Sequence, residues 1–273
     1  MSVDVAVETP QVAGRRTTRR PASSGRSGTP VRGLLLIVAA LVVWQLAGSA
    51  DSAYFPVPSE WAKAVQPLFA NHVLVPALGA TALSFFLGLG LATVIGGVLG
   101  TLVGSSRRVD RALSPTLEFM RAMPASALVP VLALILGYTL QMKLAVVVIP
   151  TTWPILLACR SARRGMSPLM LEVPRTLGLS RGASIRKVLI PAMLPAVLLG
   201  VRVAGPLALI VTLLVEIVTR INGLGSLLAA AQVAYLSAQV YGLLVIAGAL
   251  GLAVNWAVTR AEGAVARRMS GGA

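Results

Sequence analysis

The chain has 273 residues, of which 56% are hydrophobic and only 12% charged, with a formal net charge of +15. A soluble domain of this length could not hide so much apolar surface, because about half apolar content is already ordinary for globular proteins, so the bilayer is the natural solvent. Four Trp, four Tyr and five Phe argue against a base-stacking nucleic-acid platform; Cys159 and His72 each stand alone, which rules out an internal disulfide and argues against a metal site.

Residues 1–32 are polar, with Ser, Thr, Pro and six arginines (Arg15, Arg16, Arg19, Arg20, Arg26, Arg32), and read as a disordered basic cytoplasmic tail. No small-residue cleavage site stands out after the Arg15–Arg20 run, so the next segment reads as a retained span rather than a removed signal. Six apolar runs follow, Gly33–Ala50, Gly79–Gly104, Met123–Thr139, Met142–Cys159, Met193–Val218 and Val240–Thr259. Most reach or approach the ~20 residues a spanning helix needs. The third and fourth are read as a tight hairpin, because one helix of nearly forty residues would overshoot the bilayer. The expected fold is therefore an all-α membrane protein with about six transmembrane helices. The membrane domain is placed at 33–268, followed by a short tail at 269–273.

Basic residues orient the spans. With the N-terminus inside, inner segments hold nineteen Lys and Arg, and outer segments hold only Lys63, Lys143 and Arg220. Arg121 and Arg202 sit at membrane ends. Both termini are thus expected in the cytoplasm. In the second run Gly88, Ala92, Gly96, Gly100 and Gly104 recur every four residues, a groove of small residues where a neighbouring backbone can approach closely. Pro150, Pro154 and Pro206 invite kinks in the fourth and fifth runs.

Chemistry is scarce. The sequence has no G-x-x-x-x-G-K-[ST] phosphate loop, no H-E-x-x-H, no G-x-S-x-G and no paired carboxylates, and with nine acidic residues in total it offers little for acid–base catalysis. No catalytic residue, metal ligand or cofactor of its own is expected. Glu216, near the outer end of the fifth run, either lines a pathway at the outer mouth or snorkels and pairs with Arg220 one turn on. Arg202 reads as an interface anchor, an intersubunit partner or, less naturally, a gating charge.

The polar connection of about 161–192 is longer than a turn requires. Ser167–Pro168 is a helix start, and that helix would end near Leu177 at Gly178, where a left-handed exit is easy. Ser180 starts a second helix, and Pro191 would break or bend the path into the fifth run. Two short helices at a glycine elbow make a rigid knob able to transmit force. The alternative is an amphipathic hairpin lying on lipid headgroups.

The stretch E-x-x-R-T-L-G-x-S at Glu172–Ser180, with V-L-I-P ending at Pro191 and a further Pro195, resembles the signature cytoplasmic loop of permease subunits of bacterial ABC importers. The resemblance implies a type I importer permease architecture, with a coupling helix that docks on a separate ATPase subunit through Glu172, Arg175, Leu177, Gly178, Leu179, Ser180 and Pro191. Val173 and Pro174 depart from the motif, which usually has two alanines there, so the docking helix is expected to be shortened or bent. Phe55–Ser59, Arg121–Pro124, Gly200–Ala204 and Asn222–Gly225 resemble the branch importing alkanesulfonates, taurine, nitrate and related small anions or heterocycles. The implied setting is a bacterial inner membrane, with a second permease copy as a homodimer, two ATPase subunits holding ATP and Mg, and an extracytoplasmic substrate-binding protein. Glu216 and Arg202 are the candidate pathway or gating residues. A self-contained secondary transporter or channel is the competing reading, and a membrane enzyme a third.

Overall fold

The computed structural model describes residues 31–50 and 52–270. The tail expected over 1–32 lies outside them as far as residue 30, and Val31 and Arg32 already belong to the first helix. The described residues form helices α1 (Val31–Ala47), α2 (Pro58–Ala70), α3 (Leu74–Gly104), α4 (Arg107–Ala122), α5 (Ala125–Leu136), α6 (Leu140–Gly165), α7 (Pro168–Thr176), α8 (Arg181–Ser184), α9 (Ile190–Thr219), α10 (Leu224–Val233) and α11 (Ser237–Ser270). A π turn, Ile185–Leu189, joins α8 to α9. The chain divides into two compact units at Val43. The first contributes the apolar segment of α1 up to Val43, and the second holds helices α2 to α11.

Four of the expected apolar runs fall within helices, whereas the first extends past the end of α1 and the third past both ends of α5, and the runs are not six equal spans. Among the described residues, four helices are long and apolar enough to cross a bilayer: α3, α6, the continuous 39-residue stretch Arg181–Thr219, and α11. The third run is different. α5 has 12 residues, about 18 Å at the helical rise, short of a ~30 Å hydrocarbon core. It meets α4 at 90°, and the bent pair together makes a fifth candidate span. The bend has a local cause, because Pro124 forces Met123 out of the helical region to φ −67°, ψ 127°. The hairpin between the third and fourth runs is present: Gly137, at φ +65°, ends α5, and Thr139 caps α6 by accepting from the Met142 N–H.

The small-residue groove is where α3 meets α6. A Cβ placed on Gly88 would strike Val147, one on Gly96 the Thr152 carbonyl and Ile155, one on Gly100 the Leu156 carbonyl and Cys159, and one on Gly104 the Arg160 carbonyl and Arg163. The contacts advance together along both helices, so α3 and α6 run parallel with their backbones in near contact. α9 crosses in the opposite sense: Gly200 lies against Ile155 near its start and Glu216 reaches Thr81 and Lys143 near its end. Phe85, Met142, Val146, Ile155, Cys159, Ala204, Ala208 and Val215 fill the core between the three helices. Cys159 is a buried core residue. A second cluster, including Val65, Leu74, Leu224 and Leu243, ties α2 and α10 to α11.

The prolines interrupt the helices less than their number suggests. Pro150 and Pro154 lie inside one continuous α6, and Pro206 inside α9. Pro191 does not break the entry to α9 either; it sits in the first turn, where a missing N–H costs least, and the π turn just before it absorbs the misfit. Trp44, Trp61 and Tyr241 cluster at the end of the molecule opposite the basic residues, with ring centroids 5.1–5.5 Å apart, as expected of a membrane-interface belt. His72 is exposed in the α2–α3 turn at φ 56°.

Candidate functional site

The connection after α6 folds as two short helices around a glycine. α7 ends at Thr176, and Gly178 takes φ +64°, the left-handed conformation that L side chains resist. The Leu179 N–H then reaches back to the Pro174 carbonyl at 2.9 Å, closing the elbow. Ser180 caps α8, its Oγ accepting from the Ala183 N–H at 3.3 Å. Pro174 stays inside α7 and is buried against the elbow, in a cavity of about 430 Å³ that it lines with Met170, Leu179, Ile185 and Val188. The misfit expected of Pro174 thus becomes a packing contact, and α7 keeps nine residues.

The knob faces outward. Glu172 is exposed, Leu177 is 67% exposed although it is apolar, and Gly178 has nothing within 4 Å of where a Cβ would sit. Arg175 lies on α7, with its side chain outside the described residues, and Pro191 is exposed at the start of α9. The structure therefore gathers Glu172, Leu177, Gly178, Leu179 and Ser180 at one elbow, with Pro191 following the π turn.

Glu216 and Arg202 do not join them or each other. Both lie on α9, 14 residues apart by number, about 21 Å along the axis. Arg202 is 62% exposed and approaches Glu262 of α11 at 3.9 Å. Glu216 neither snorkels nor pairs with Arg220. Its side chain is 0% exposed, and Oε1 accepts from Lys143 Nζ at 2.5 Å, with Lys143 itself 1% exposed. Arg220 instead takes φ 55° and turns the chain out of α9.

Further hydrogen bonds hold the pair. The Thr81 hydroxyl donates to the carboxylate at 2.9–3.0 Å and accepts from the Leu224 N–H at 2.8 Å. The Gly225 N–H donates to Glu216 Oε2 at 2.9 Å, and Lys143 Nζ also reaches the Asn222 carbonyl at 3.2 Å. Gly223 and Gly225 are needed because a Cβ at either would strike the Glu216 side chain. Each charge sits at the unfavourable end of its own helix dipole, a lysine in the first turn of α6 and a glutamate in the last turn of α9, so each depends on the other. Sequence reasoning placed Lys143 in an outer loop. The available signal was a lone lysine flanked by apolar residues, which in a membrane requires a partner.

A second cluster lies at the other end of the core. Asp110 of α4 is buried; Oδ1 accepts from Arg160 Nε and Oδ2 from Arg164 Nη1 at 2.5 Å, while Arg160 Nη2 donates to the Ser114 hydroxyl at 2.5 Å. Arg160's hydrogen bond and the charges of Arg160 and Arg164 hold the Asp110 carboxyl below the usual carboxylate range, against the opposing effect of burial. Among the described residues no group of His, Cys, Asp and Glu is arranged to hold a metal ion.

These features define a polytopic helical membrane protein whose parallel α3–α6 core is locked by an ion pair at one end and carries an outward-facing helical knob at the other. The chain belongs to the family of binding-protein-dependent transport system inner membrane components, whose family model matches residues 92–271. Among its relatives, the "Putative aliphatic sulfonates transport permease protein SsuC" of Bacillus subtilis is 26% identical over 92% of this chain and 91% of its own length. The "Nitrate import permease protein NrtB" of Synechocystis is 27% identical, covering 89% and 92% respectively. The "Bicarbonate transport system permease protein CmpB" of Synechocystis is 30% identical, covering 80% and 82%. A solved structure of the MetNI methionine ABC transporter, facing inward, has the same fold, with TM-score 0.60 and 21% identity over 70% of this chain and 95% of that one. The chain is thus an ABC importer permease with the fold of the MetNI permease, and its relatives include members of the branch that its sequence resembles.

Proposed function

We propose that this chain forms, with a second copy of itself, the membrane pathway of an ATP-driven importer for a small oxyanion such as an alkanesulfonate, nitrate or bicarbonate. A binding protein outside the membrane would deliver the solute. The relatives named above support that substrate class; taurine, an aminoalkanesulfonate, falls within it, and related small anions and heterocycles complete the range. ATP and Mg are held by separate ATPase subunits; this chain binds no cofactor and hydrolyses nothing. The observation that carries the reading is the elbow at Gly178, an exposed, rigid, glycine-dependent projection on a chain whose sequence has no phosphate loop.

Docking is assigned to Glu172, Arg175, Leu177, Gly178, Leu179, Ser180 and Pro191, with the permease domain spanning 33–268 and the docking loop 161–192. The basic end of the core faces the cytoplasm, as do both termini, in a bacterial inner membrane. ATPase closure pulls the knobs, the helix bundles tilt, and the pathway alternates between its two faces. A self-contained transporter would need intramembrane charges able to carry a coupling ion, and the Lys143–Glu216 pair is instead neutralised and sealed.

The test is co-purification. Gly178→Val should leave the chain folded in membranes yet unable to retain its ATPase or to transport. Normal ATPase stoichiometry with full transport in that variant would overturn the docking assignment. Transport by the purified chain alone in liposomes, without ATP, would overturn the importer reading itself.

A further inference from the structure

At the basic end of the core, a cavity of about 460 Å³ opens where α3 and α6 end and α4 begins. That volume is in the range of ordinary small-ligand sites. Its walls are mainly polar and include Ser105, Arg107, Ser161, Arg163 and Arg164, with no acidic residue among them. Arg164 is occupied in part, since it pairs with Asp110, and Asp110 is already shared with Arg160. Arg107 and Arg163 have no acidic partner among the described residues. Arg163 gives only Nη1 to the Met166 sulfur at 3.5 Å, and its Nε is buried with no hydrogen-bond partner.

A buried guanidinium N–H left unmatched is costly, and an arginine fork is shaped for a carboxylate or phosphate. The electrostatic balance favours an anion. The carbonyl ends of α3 and α6 bring partial negative charge worth about half a unit each, but three guanidiniums and the amino end of α4 outweigh them. The N-terminus of α4 is also available, because Ser106 makes no side-chain cap and the first amides of this 16-residue helix lack intrahelical partners. The Ser161 hydroxyl adds a further donor at the rim.

We propose that this cavity binds a phosphate monoanion or diester, held by Arg107 and Arg163 with Arg164 at its edge. The group can come from the headgroup of an anionic phospholipid in the adjoining leaflet or from a free phosphate compound. The site adjoins the cavity beneath the docking elbow, with Arg163 and Met166 lining both, but its binding can be measured on the chain alone, without the ATPase. Failure of this inference therefore leaves the transport reading standing, and failure of ATPase docking leaves this one standing.

The experiment uses the purified full chain in neutral detergent, titrated with phosphatidylglycerol, phosphatidylcholine of the same acyl chains, and inorganic phosphate. Retained lipid is counted by native mass spectrometry, and protection is read from the melting midpoint. Phosphatidylglycerol should be retained over phosphatidylcholine, and Arg107→Gln combined with Arg163→Gln should weaken retention by about tenfold or more, the effect of losing charge-assisted hydrogen bonds. Arg260→Gln, at the same end of the molecule but stacked on Trp256, should bind as the parent does. Preference among lipids identifies a headgroup; phosphate protection without lipid preference identifies a free phosphate compound. Should the double variant not fold, Ser161→Phe, which obstructs the cavity and keeps every arginine, must lose binding too. Unchanged binding in a folded variant of either kind, or no response to phosphatidylglycerol or phosphate in the parent, overturns the site.

Discussion

Lys143 and Glu216, 73 residues apart in the chain, meet at 2.5 Å with both side chains sealed from solvent. The pair joins the start of α6 to the end of α9, and through Thr81 and the Asn222–Gly225 loop it also fixes the start of α3 and the turn into α10. Four helices therefore share one charge-balanced junction.

Breaking it from one side should be severe. Lys143→Met leaves a buried carboxylate without its counter-charge and should lower stability by about 3–5 kcal/mol. Lys143→Met with Glu216→Gln removes both charges but keeps acceptors for Thr81 and Gly225, and should recover part of that loss. Melting midpoints of the parent, both single variants and the double variant close the cycle. Additive losses would show that the two residues are not coupled.

The α3–α6 contact gives a sharper steric test. Gly100→Ala would put a methyl against the Leu156 carbonyl and Cys159, and Gly96→Ala one against the Thr152 carbonyl. Each should cost about 1–3 kcal/mol by overpacking. Gly90→Ala, on the same helix with nothing within 4 Å, should be neutral or gain up to about 1 kcal/mol from helix propensity. If all three alanines melt alike, the close approach of the two backbones is not what holds them.

Gly178 should respond to conformation rather than to crowding. A side chain there meets open space but must hold φ +64°, which costs about 1–2 kcal/mol for an ordinary L residue and less for asparagine. Gly178→Asn should therefore keep more of the elbow than Gly178→Ala. Protease sensitivity of the Thr176–Ser180 segment checks it, with the asparagine variant expected to lie between parent and alanine.

Asp110 sets an acid limit. Its carboxyl is held below the ordinary range by Arg160 and Arg164, so it contributes stability above its unfolded value near ~3.9 and loses it as pH falls through the folded value. The parent should melt above Asp110→Asn by a constant margin from neutral pH down to about 5, and the margin should close at lower pH. A margin unchanged down to pH 3 would mean that the ionised form of Asp110 is not what stabilises the junction with α6.

The elbow around Gly178 was legible because its determinants are local. A cap at Ser180, a glycine at 178 and a proline at 168 act within a few residues, and the structure places helix edges beside each. The groove on α3 was legible for the same reason, since a period of four needs only the helix itself. The partner of Glu216 was not, because pairing with Lys143 depends on how α6 and α9 cross, whereas Arg220 was the neighbour along the chain. The 90° turn between α4 and α5 was also missed: the apolar run from Met123 reads as a span, but its first helical partner is the amphipathic α4.

Helix α9 continues without a loop from α8 through the π turn, so one rod of 39 residues runs from Arg181 to Thr219, about 58 Å long. Ser180 stands at one tip and Glu216 one turn from the other. A tug on the elbow thus meets no joint before the far junction, and α9 can act as a lever whose fulcrum lies near Gly200, where it rests directly on Ile155.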